Sequence, residues 1–239
     1  MKKLLMILSL VLLLGCNEND TDDTNQNNQL LDYDGNNYPT SLVADQIWTT
    51  ENLRVKTYRD GTPIPFVESQ EEWENINTGA WCYVNDDPST EEVYGLMYNY
   101  YAINHPRGLA PEGAKIPSKE DFLHLMSVEG VNGNNNSGYV DFEIFEKLIS
   151  SEIPWDFNGT TIFGTNSSGY NGKPAGLRLG SDGGFPAFGR YATFGTSTIP
   201  AIDNNRAIFY LNSAGGATLS VGFSFRPMDT GTSIRLILE

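Results

Sequence analysis

The sequence predicts an α+β domain with two helices in its middle part and an irregular antiparallel sheet in its second half. Residues 118–128 and 140–151 place apolar side chains at helical spacing. From Trp155 onward this spacing is absent, and short apolar segments alternate with turns rich in Gly, Asn and Ser. Because short strands joined by turns pair antiparallel with their neighbours, the second half is predicted to form a sheet.

Residues 94–122 are the densest stretch of special residue types, and the other elements are arranged around it. The aromatic and aliphatic side chains of residues 94–103 predict a strand buried on both faces. Pro and Gly residues between 105 and 113 predict an ordered loop. Ser118 then begins the first helix, because its side chain can accept the amide of Asp121 and acidic residues follow in the first turn.

The segments before this stretch are predicted to be short. Residues 32–55 indicate two strands with a turn at 34–37. Ser69, followed three positions later by a glutamate, is typical of the start of a short helix. Residues 81–84 predict a strand that ends in the turn at 85–88.

After this stretch, Phe142, Phe145 and Leu148 define the apolar face of the second helix, which follows a polar loop at residues 130–138. Later segments with the composition of strands are 177–179, 190–194, 207–211, 221–226 and 233–238.

The N-terminus has the pattern of a secretion signal. A basic pair precedes the apolar run 4–14, which is too short to span a bilayer. The run ends in Gly15-Cys16, which resembles the bacterial lipobox, so residues 1–15 are predicted to be a lipoprotein signal peptide and Cys16 its lipidated residue. The alternative is that Cys16 is a small residue in a signal peptide that is cut further along.

Residues 16–31 are predicted to be a solvated tether, because they are rich in Asp, Glu and Asn and contain no aromatic group. Their acidic residues resemble the surface-export signals of Bacteroidota-type lipoproteins and are Glu18, Asp20, Asp22 and Asp23. The chain is therefore predicted to be anchored by lipid to the outer membrane or the cell surface.

The chain is strongly acidic, with a formal net charge of −15 that becomes more negative by two when the signal with Lys2 and Lys3 is removed. Such a surface repels phosphate backbones, which argues against nucleic-acid partners. Residues 32–239 are long enough for one sizeable core, and no linker or repeat divides them.

The residue types needed for common catalytic sites are scarce. With Cys16 lipidated, Cys82 stands alone on a strand that is predicted to be buried, and it is predicted to serve as a small apolar residue. His105 and His124 lack partners at metal-ligand spacing. The domain is therefore predicted not to be an enzyme. A carboxylate pair of the glycosidase type stays open, because such pairs meet in space and the chain has 30 acidic residues.

No cofactor is predicted, with one alternative. Two turns offer the oxygen ligands that calcium prefers, and their residues are Asn85, Asp86, Asp87, Asp203 and Asn204. Asn and Asp also occupy such turns for backbone reasons alone, and that interpretation is favoured.

Several segments resemble the successive blocks of the Fibrobacter succinogenes major paralogous domain. They cover residues 32–228 in the same order and are 34–38 (DGNNY), 46–48 (QIW), 51–53 (ENL), 94–99 (YGLMYN), 109–113 (LAPEG), 116–118 (IPS) and 222–226 (GFSFR). Two positions depart from the pattern: Ala114-Lys115 stands where the family often has Trp, and Pro227-Met228 where it tends to have Cys.

The resemblance implies a C-type lectin-like fold, similar to that of formylglycine-generating and sulfatase-modifying enzymes, with two helices and an irregular sheet. It implies no general activity. The oxidative enzymes of that fold use paired cysteines, which the mature domain lacks.

A binding domain for glycan or protein ligands is the favoured function, because an anchor, a tether and a loop-rich domain present a surface to the outside. Aromatic candidates for ligand contact in loop-like contexts are Tyr139, Tyr170, Phe185 and Phe188, with core packing as the alternative for each. A structural or adhesin-type envelope component that binds only protein is the competing class.

Overall fold

The computed structural model describes residues 29–131, 137–199, 205–216 and 218–239. The strands are β1 (Gln29–Leu31), β2 (Asn37–Val43), β3 (Gln46–Thr49), β4 (Trp81–Tyr83), β5 (Leu96–Tyr98), β6 (Ala114–Lys115), β7 (Ser137–Val140), β8 (Trp155–Phe157), β9 (Thr160–Ile162), β10 (Tyr191–Gly195), β11 (Asn205–Gly215), β12 (Thr218–Pro227) and β13 (Ile237–Leu238). The helices are α1 (Gln70–Glu74), α2 (Glu91–Tyr94), α3 (Tyr100–Ile103), α4 (Lys119–Val128) and α5 (Phe142–Leu148).

The domain is mostly β, so the predicted α+β, C-type lectin-like class is wrong. Strands contain 34% of the residues and helices contain 18%, and the strands form four sheets. Both predicted helices exist, but the longer of them, α4, has only ten residues. Helical spacing marked the helices correctly, whereas several strands are too short for their sequences to distinguish them from loops. Within the described ranges, no helix is both long and apolar enough to cross a membrane.

The first sheet brings the two ends of the described chain together. Its five strands run in the order β1-β2-β3-β13-β6, with antiparallel pairing throughout. The predicted turn at 34–37 joins β1 to β2, so the end of the predicted tether is a strand. A second turn at Ala44 and Asp45, both at positive φ, joins β2 to β3. Of the predicted strand 233–238, only Ile237–Leu238 belongs to the sheet.

The second sheet has the order β10-β11-β12-β7 and is built around the long β11–β12 hairpin. Its antiparallel pairing confirms the prediction for residues 190–194, 207–211 and 221–226. Residues 177–179 do not form a strand, because Arg178 makes only an isolated bridge to Gly231.

The main core lies between the second sheet and α4 and is rich in aromatic rings. Phe122 of α4 stacks on Phe209 of β11 with 4.4 Å between ring centroids, and it lies 5.2 Å from Trp48 of β3. All three side chains are fully buried. One helical residue therefore connects the second sheet to the first.

The start of α4 is a capping box, of which the sequence predicts one half, the bond from the Asp121 amide to the Ser118 side chain. The amide of Asp121 donates to Ser118 Oγ at 3.1 Å, and the amide of Ser118 donates to Asp121 Oδ2 at 2.8 Å. Burial acts to raise the pKa of Asp121, but these hydrogen bonds and one from Gln46 hold it below its usual range. Each bond satisfies a backbone amide that the first helical turn leaves without a partner.

The predicted strand at residues 94–103 is only partly correct. Leu96–Tyr98 forms β5, but the chain then turns into α3. The side chain of Asn99 causes this change, because its Oδ1 accepts the amides of Ala102 at 3.0 Å and Ala80 at 3.1 Å. A buried Asn at an N-cap thus overrides the strand composition around it.

Three arginines, Arg178, Arg206 and Arg235, are fully buried. Arg235 donates to Asn52 Oδ1 at 2.6 Å, to the carbonyl oxygens of Thr49 and Tyr170 at 2.8 and 2.7 Å, and to that of Asn171 at 2.7 Å. Burial lowers the pKa of Arg235 to about 10, so it stays charged at neutral pH. Neutral oxygens, rather than a carboxylate, solvate this cation.

Lys173 makes the stability of the domain depend on pH above neutrality. Its side chain is 8% exposed and has no carboxylate within 4.0 Å in the described part of the chain. Burial, followed by the charge of Arg235, lowers the pKa of Lys173 from 10.5 to about 8. Between these values the unfolded chain binds a proton that the folded chain has released, so stability rises with pH.

A comparison with Lys173→Met isolates this effect, because other groups titrate alike in both proteins. The variant is expected to be the more stable protein at about pH 7 and to lose at least about 1 kcal/mol of that advantage by about pH 9.5. Urea denaturation across this range measures the difference. A difference that stays constant with pH would contradict the assignment.

Candidate ligand-binding site

The outer face of the second sheet carries a row of polar and aromatic side chains. Tyr139 of β7 lies opposite Ser220, Ser220 opposite Asn212, and Asn212 opposite Tyr191. Residues opposite each other in an antiparallel sheet share a face, and the next residues along each strand point the other way, into the main core. These four residues are called the outer row.

A second tyrosine enlarges the outer row. Tyr210 stacks on Tyr191 with 5.5 Å between centroids and 27° between ring planes. Burial raises the pKa of Tyr191 to about 12, although Arg226 acts to lower it, so the phenol stays protonated at neutral pH. Asn212 Nδ2 donates to Ser220 Oγ at 3.2 Å, which fixes the amide between the aromatic rings. The face therefore offers both hydroxyl and amide groups beside aromatic surface.

A groove of about 390 Å³ lies beside Tyr139, where β7 leads into α5. Its lining residues are Tyr139, Val140, Asp141, Phe142, Phe157, Thr218 and Leu219. Tyr139 is 79% exposed and Phe142 is 44% exposed. Asp141 occupies the N-cap position of α5, but its carboxylate makes no capping hydrogen bond. The groove thus combines exposed aromatic rings with a carboxylate that can accept hydrogen bonds from a ligand.

The chemistry of this groove suits a sugar ring. The faces of aromatic rings are electronegative and attract the weakly positive C–H groups of a pyranose. Sugar hydroxyls donate to carboxylate and amide oxygens and accept from amide N–H groups. Together, the groove and the outer row supply both kinds of contact.

The structure does not bring the four aromatic candidates together. Only Tyr139 lies at the groove. Tyr170 is fully buried, with its ring 5.7 Å from Trp48 and 5.3 Å from Phe194, so it packs in the core and does not reach the surface.

The two phenylalanine candidates lie on another part of the molecule. Phe188 is 39% exposed and packs edge-on against Tyr94 at 5.2 Å. Phe185 is half-buried beneath the guanidinium of Arg178 at 5.0 Å. Both rings therefore have packing partners of their own.

Two of the three calcium candidates that the structure describes have other partners, and the third, Asn85, is a turn residue. Asn85 is at positive φ. Asp86 Oδ1 pairs with Arg178 Nη1 at 3.0 Å, and burial raises the pKa of Asp86 while Arg178 opposes this shift. Asp87 Oδ1 accepts the amide of Ser89 at 2.9 Å, and hydrogen bonds from Ser89 lower the pKa of Asp87. These contacts are those of a turn and a helix cap.

Other predicted site residues fall outside the described ranges, namely Cys16, Asp203 and Asn204. Among the residues that the structure does describe, no group of three His, Cys, Asp or Glu side chains is arranged to hold a metal ion.

Cys82 and the two histidines are placed as the sequence predicts. Cys82 is fully buried on β4, and burial raises the pKa of its thiol to about 12, so little thiolate forms at neutral pH. His105 stacks on Tyr58 at 4.4 Å in a loop, and His124 is exposed on α4.

Most residues of the outer row were not among the sequence candidates. The sequence predicts strands at residues 190–194, 207–211 and 221–226 but does not show which face of each strand is turned outward. The alternation was visible in Tyr191, Tyr210 and Asn212, which interrupt runs of apolar residues. The pairing of β7 with β12, which adds Tyr139, has no such local signal.

The fold and the site define a mostly β domain whose second sheet carries partly buried polar and aromatic side chains beside the exposed Tyr139. Over residues 42–237 the chain matches the model of the Fibrobacter succinogenes major domain. It belongs to this family, which confirms the family named from the sequence blocks. No curated protein and no solved structure matches the chain.

Proposed function

We propose that this protein is a non-catalytic binding protein that recognises glycans through the outer row and the groove beside Tyr139. The observation that carries the proposal is the 79% exposure of Tyr139 next to a groove that also contains Asp141. The exposed rings of Tyr139 and Phe142 lie together at this groove, and such a patch marks an interaction site more than a single exposed side chain does. The neighbouring amide and hydroxyl groups of the outer row give such a contact polar selectivity.

We also propose that the domain is held at the outer membrane or the cell surface by lipid on Cys16. The support is the lipobox-like ending of the apolar N-terminal run and the acidic residues that follow. Cys16→Ala is expected to move the protein from the membrane fraction to the soluble fraction. Unchanged partitioning after fractionation would contradict the anchor.

A glycan array with the full chain tests the binding function. Tyr139→Ala is expected to weaken binding to the best saccharide about tenfold, which corresponds to about 1.4 kcal/mol. Asp141→Asn is expected to weaken it less, because an amide still accepts one hydrogen bond. Calorimetry with that saccharide measures both changes.

The matched control is Tyr33→Ala, because Tyr33 is 62% exposed and lies in the turn between β1 and β2, in the other sheet. This variant is expected to bind normally. An array with no saccharide signal, together with envelope proteins that co-purify with the chain, would instead support the structural or adhesin-type alternative.

A further inference from the structure

A second cavity, of about 420 Å³, lies between α3 and the loop that follows it. The residues that line it include Asn77, Tyr100, Tyr101, Asn104 and Pro106. None of its lining residues is acidic, although the chain contains 30 Asp and Glu residues. The cavity is therefore a locally uncharged or basic region on an acidic protein.

The Tyr100 side of this cavity has an unused hydrogen-bond donor. Tyr100 is 4% exposed, and its hydroxyl has no hydrogen-bond partner among the described residues. Burial raises the pKa of Tyr100, whereas the charge of Arg206 and the nearby Asn104 side chain, which approaches the hydroxyl without hydrogen-bond geometry, act to lower it. The phenol is protonated at neutral pH and can donate to a ligand. A buried donor without a partner is unfavourable, and a ligand that accepts its hydrogen bond removes this cost.

Arg206 lies behind Tyr100, with its guanidinium carbon 5.5 Å from the ring centroid. It is fully buried, and only Nη2 is bonded, to the carbonyl of Thr230 and the hydroxyl of Thr232. Nε and Nη1 have no partner among the described residues, and no described carboxylate lies within 4.0 Å. The charge of Asp229 acts on Arg206 from further away.

Arg206 has more guanidinium nitrogens without a hydrogen-bond partner than either of the other two buried arginines. Arg178 pairs with Asp86 at 3.0 Å, and Arg235 donates four hydrogen bonds. Buried charges in proteins are normally paired or fully hydrogen-bonded. Arg206 keeps two unused donors behind the cavity and has no described carboxylate within 4.0 Å, so the more distant charge of Asp229 compensates its positive potential only in part.

We propose that this cavity binds a sugar-sized ligand that carries a carboxylate, such as a uronic acid residue. The carboxylate accepts the Tyr100 hydroxyl and faces the positive charge of Arg206 behind the ring. The sugar ring packs on Tyr101 and Pro106, and its hydroxyls meet the side chains of Asn77 and Asn104. This site is separate from the groove beside Tyr139, and it does not depend on that proposed function.

Calorimetry with glucuronic acid, glucose and acetate as probes tests the proposal on the full chain. Glucuronic acid is expected to bind at least about tenfold more tightly than glucose, which has the same ring without the carboxylate. It is also expected to bind more tightly than acetate, which has the carboxylate without the ring. Equal affinity for glucuronic acid and glucose would overturn the proposal.

Two variants test whether the Tyr100 hydroxyl and the Arg206 charge contribute to the binding of glucuronic acid. Tyr100→Phe keeps the ring and removes the hydroxyl, so it is expected to weaken glucuronic acid about five- to tenfold and leave glucose unchanged. Arg206→Met removes the charge and keeps much of the volume, and it is expected to abolish the preference for the acid. Circular dichroism and thermal melting show whether each variant is folded.

The measurements distinguish a failure of the proposed cavity site from a folding defect and from a failure of the groove beside Tyr139. If Arg206→Met does not fold, Tyr100→Phe alone decides the result. Tyr33→Ala, in the turn between β1 and β2, is expected to leave glucuronic acid binding unchanged. Because the cavity and the groove beside Tyr139 share no lining residue, failure of one site does not imply failure of the other. A folded Tyr100→Phe variant with unaltered glucuronic acid affinity would contradict the proposed contact.

Discussion

Replacing Arg235 by alanine is expected to lower the free energy of unfolding by about 3–5 kcal/mol. The substitution removes four hydrogen bonds and leaves the carbonyl oxygens of Thr49, Tyr170 and Asn171 buried without a donor. It also removes the cation from its position 5.2 Å from the Tyr170 ring centroid and leaves a cavity beside that ring. Each of these losses destabilises the folded state and none affects the unfolded chain.

Guanidinium chloride denaturation followed by tryptophan fluorescence measures this change. The matched control is Arg190→Ala, because the Arg190 side chain is 48% exposed and lies 4.0 Å from Asp156. An exposed pair of this kind contributes at most about 1 kcal/mol, so the control is expected to stay close to the original stability. If Arg235→Ala lowers the free energy of unfolding by less than about 1 kcal/mol, the hydrogen bonds of Arg235 do not stabilise the fold as proposed.

Replacing Phe122 by alanine is expected to cost a similar amount, about 3–5 kcal/mol. The ring is fully buried and lies within 6.5 Å of the rings of Trp48, Phe194, Phe209 and Phe223. These neighbours belong to both large sheets and cannot all move into the space that the ring leaves. The loss therefore includes the cost of a cavity as well as the lost burial of the ring.

Val128→Ala is the control for Phe122→Ala, since Val128 lies on the same helix and is half exposed. It is expected to change stability by no more than about 0.5 kcal/mol. Phe122→Leu is expected to lie between the two, because it retains much of the volume. Equal effects of the alanine substitutions at 122 and 128 would contradict the central position of Phe122.

Local signals predicted much of the secondary structure. Ser69, Ser118 and Asp121 are helix-start residues whose hydrogen bonds act within one turn, so their positions in sequence are enough to locate α1 and α4. The class of the fold was not predictable in the same way. β6 and β13 are two residues long and exist only because distant strands lie beside them.

The candidate site was predictable only where exposure could be guessed from context. Tyr139 follows a polar Gly/Asn-rich segment and is exposed, but Tyr170 follows a similar segment and is buried. What separates them is tertiary packing: Trp48, far away in sequence, lies against Tyr170. Similarly, nothing local shows that Arg206 is buried without a carboxylate partner, because that depends on which loops surround it.

The position of β13 between β3 and β6 has a consequence for how the chain folds. Arg235 donates to Thr49, 186 residues earlier in the chain, and Ile237 pairs with Trp48. Contacts this far apart in sequence require a long loop to close before any stabilisation is gained, which makes folding slow. Until the last residues are in place, the edge of β3 has no partner and is open to pairing with other chains.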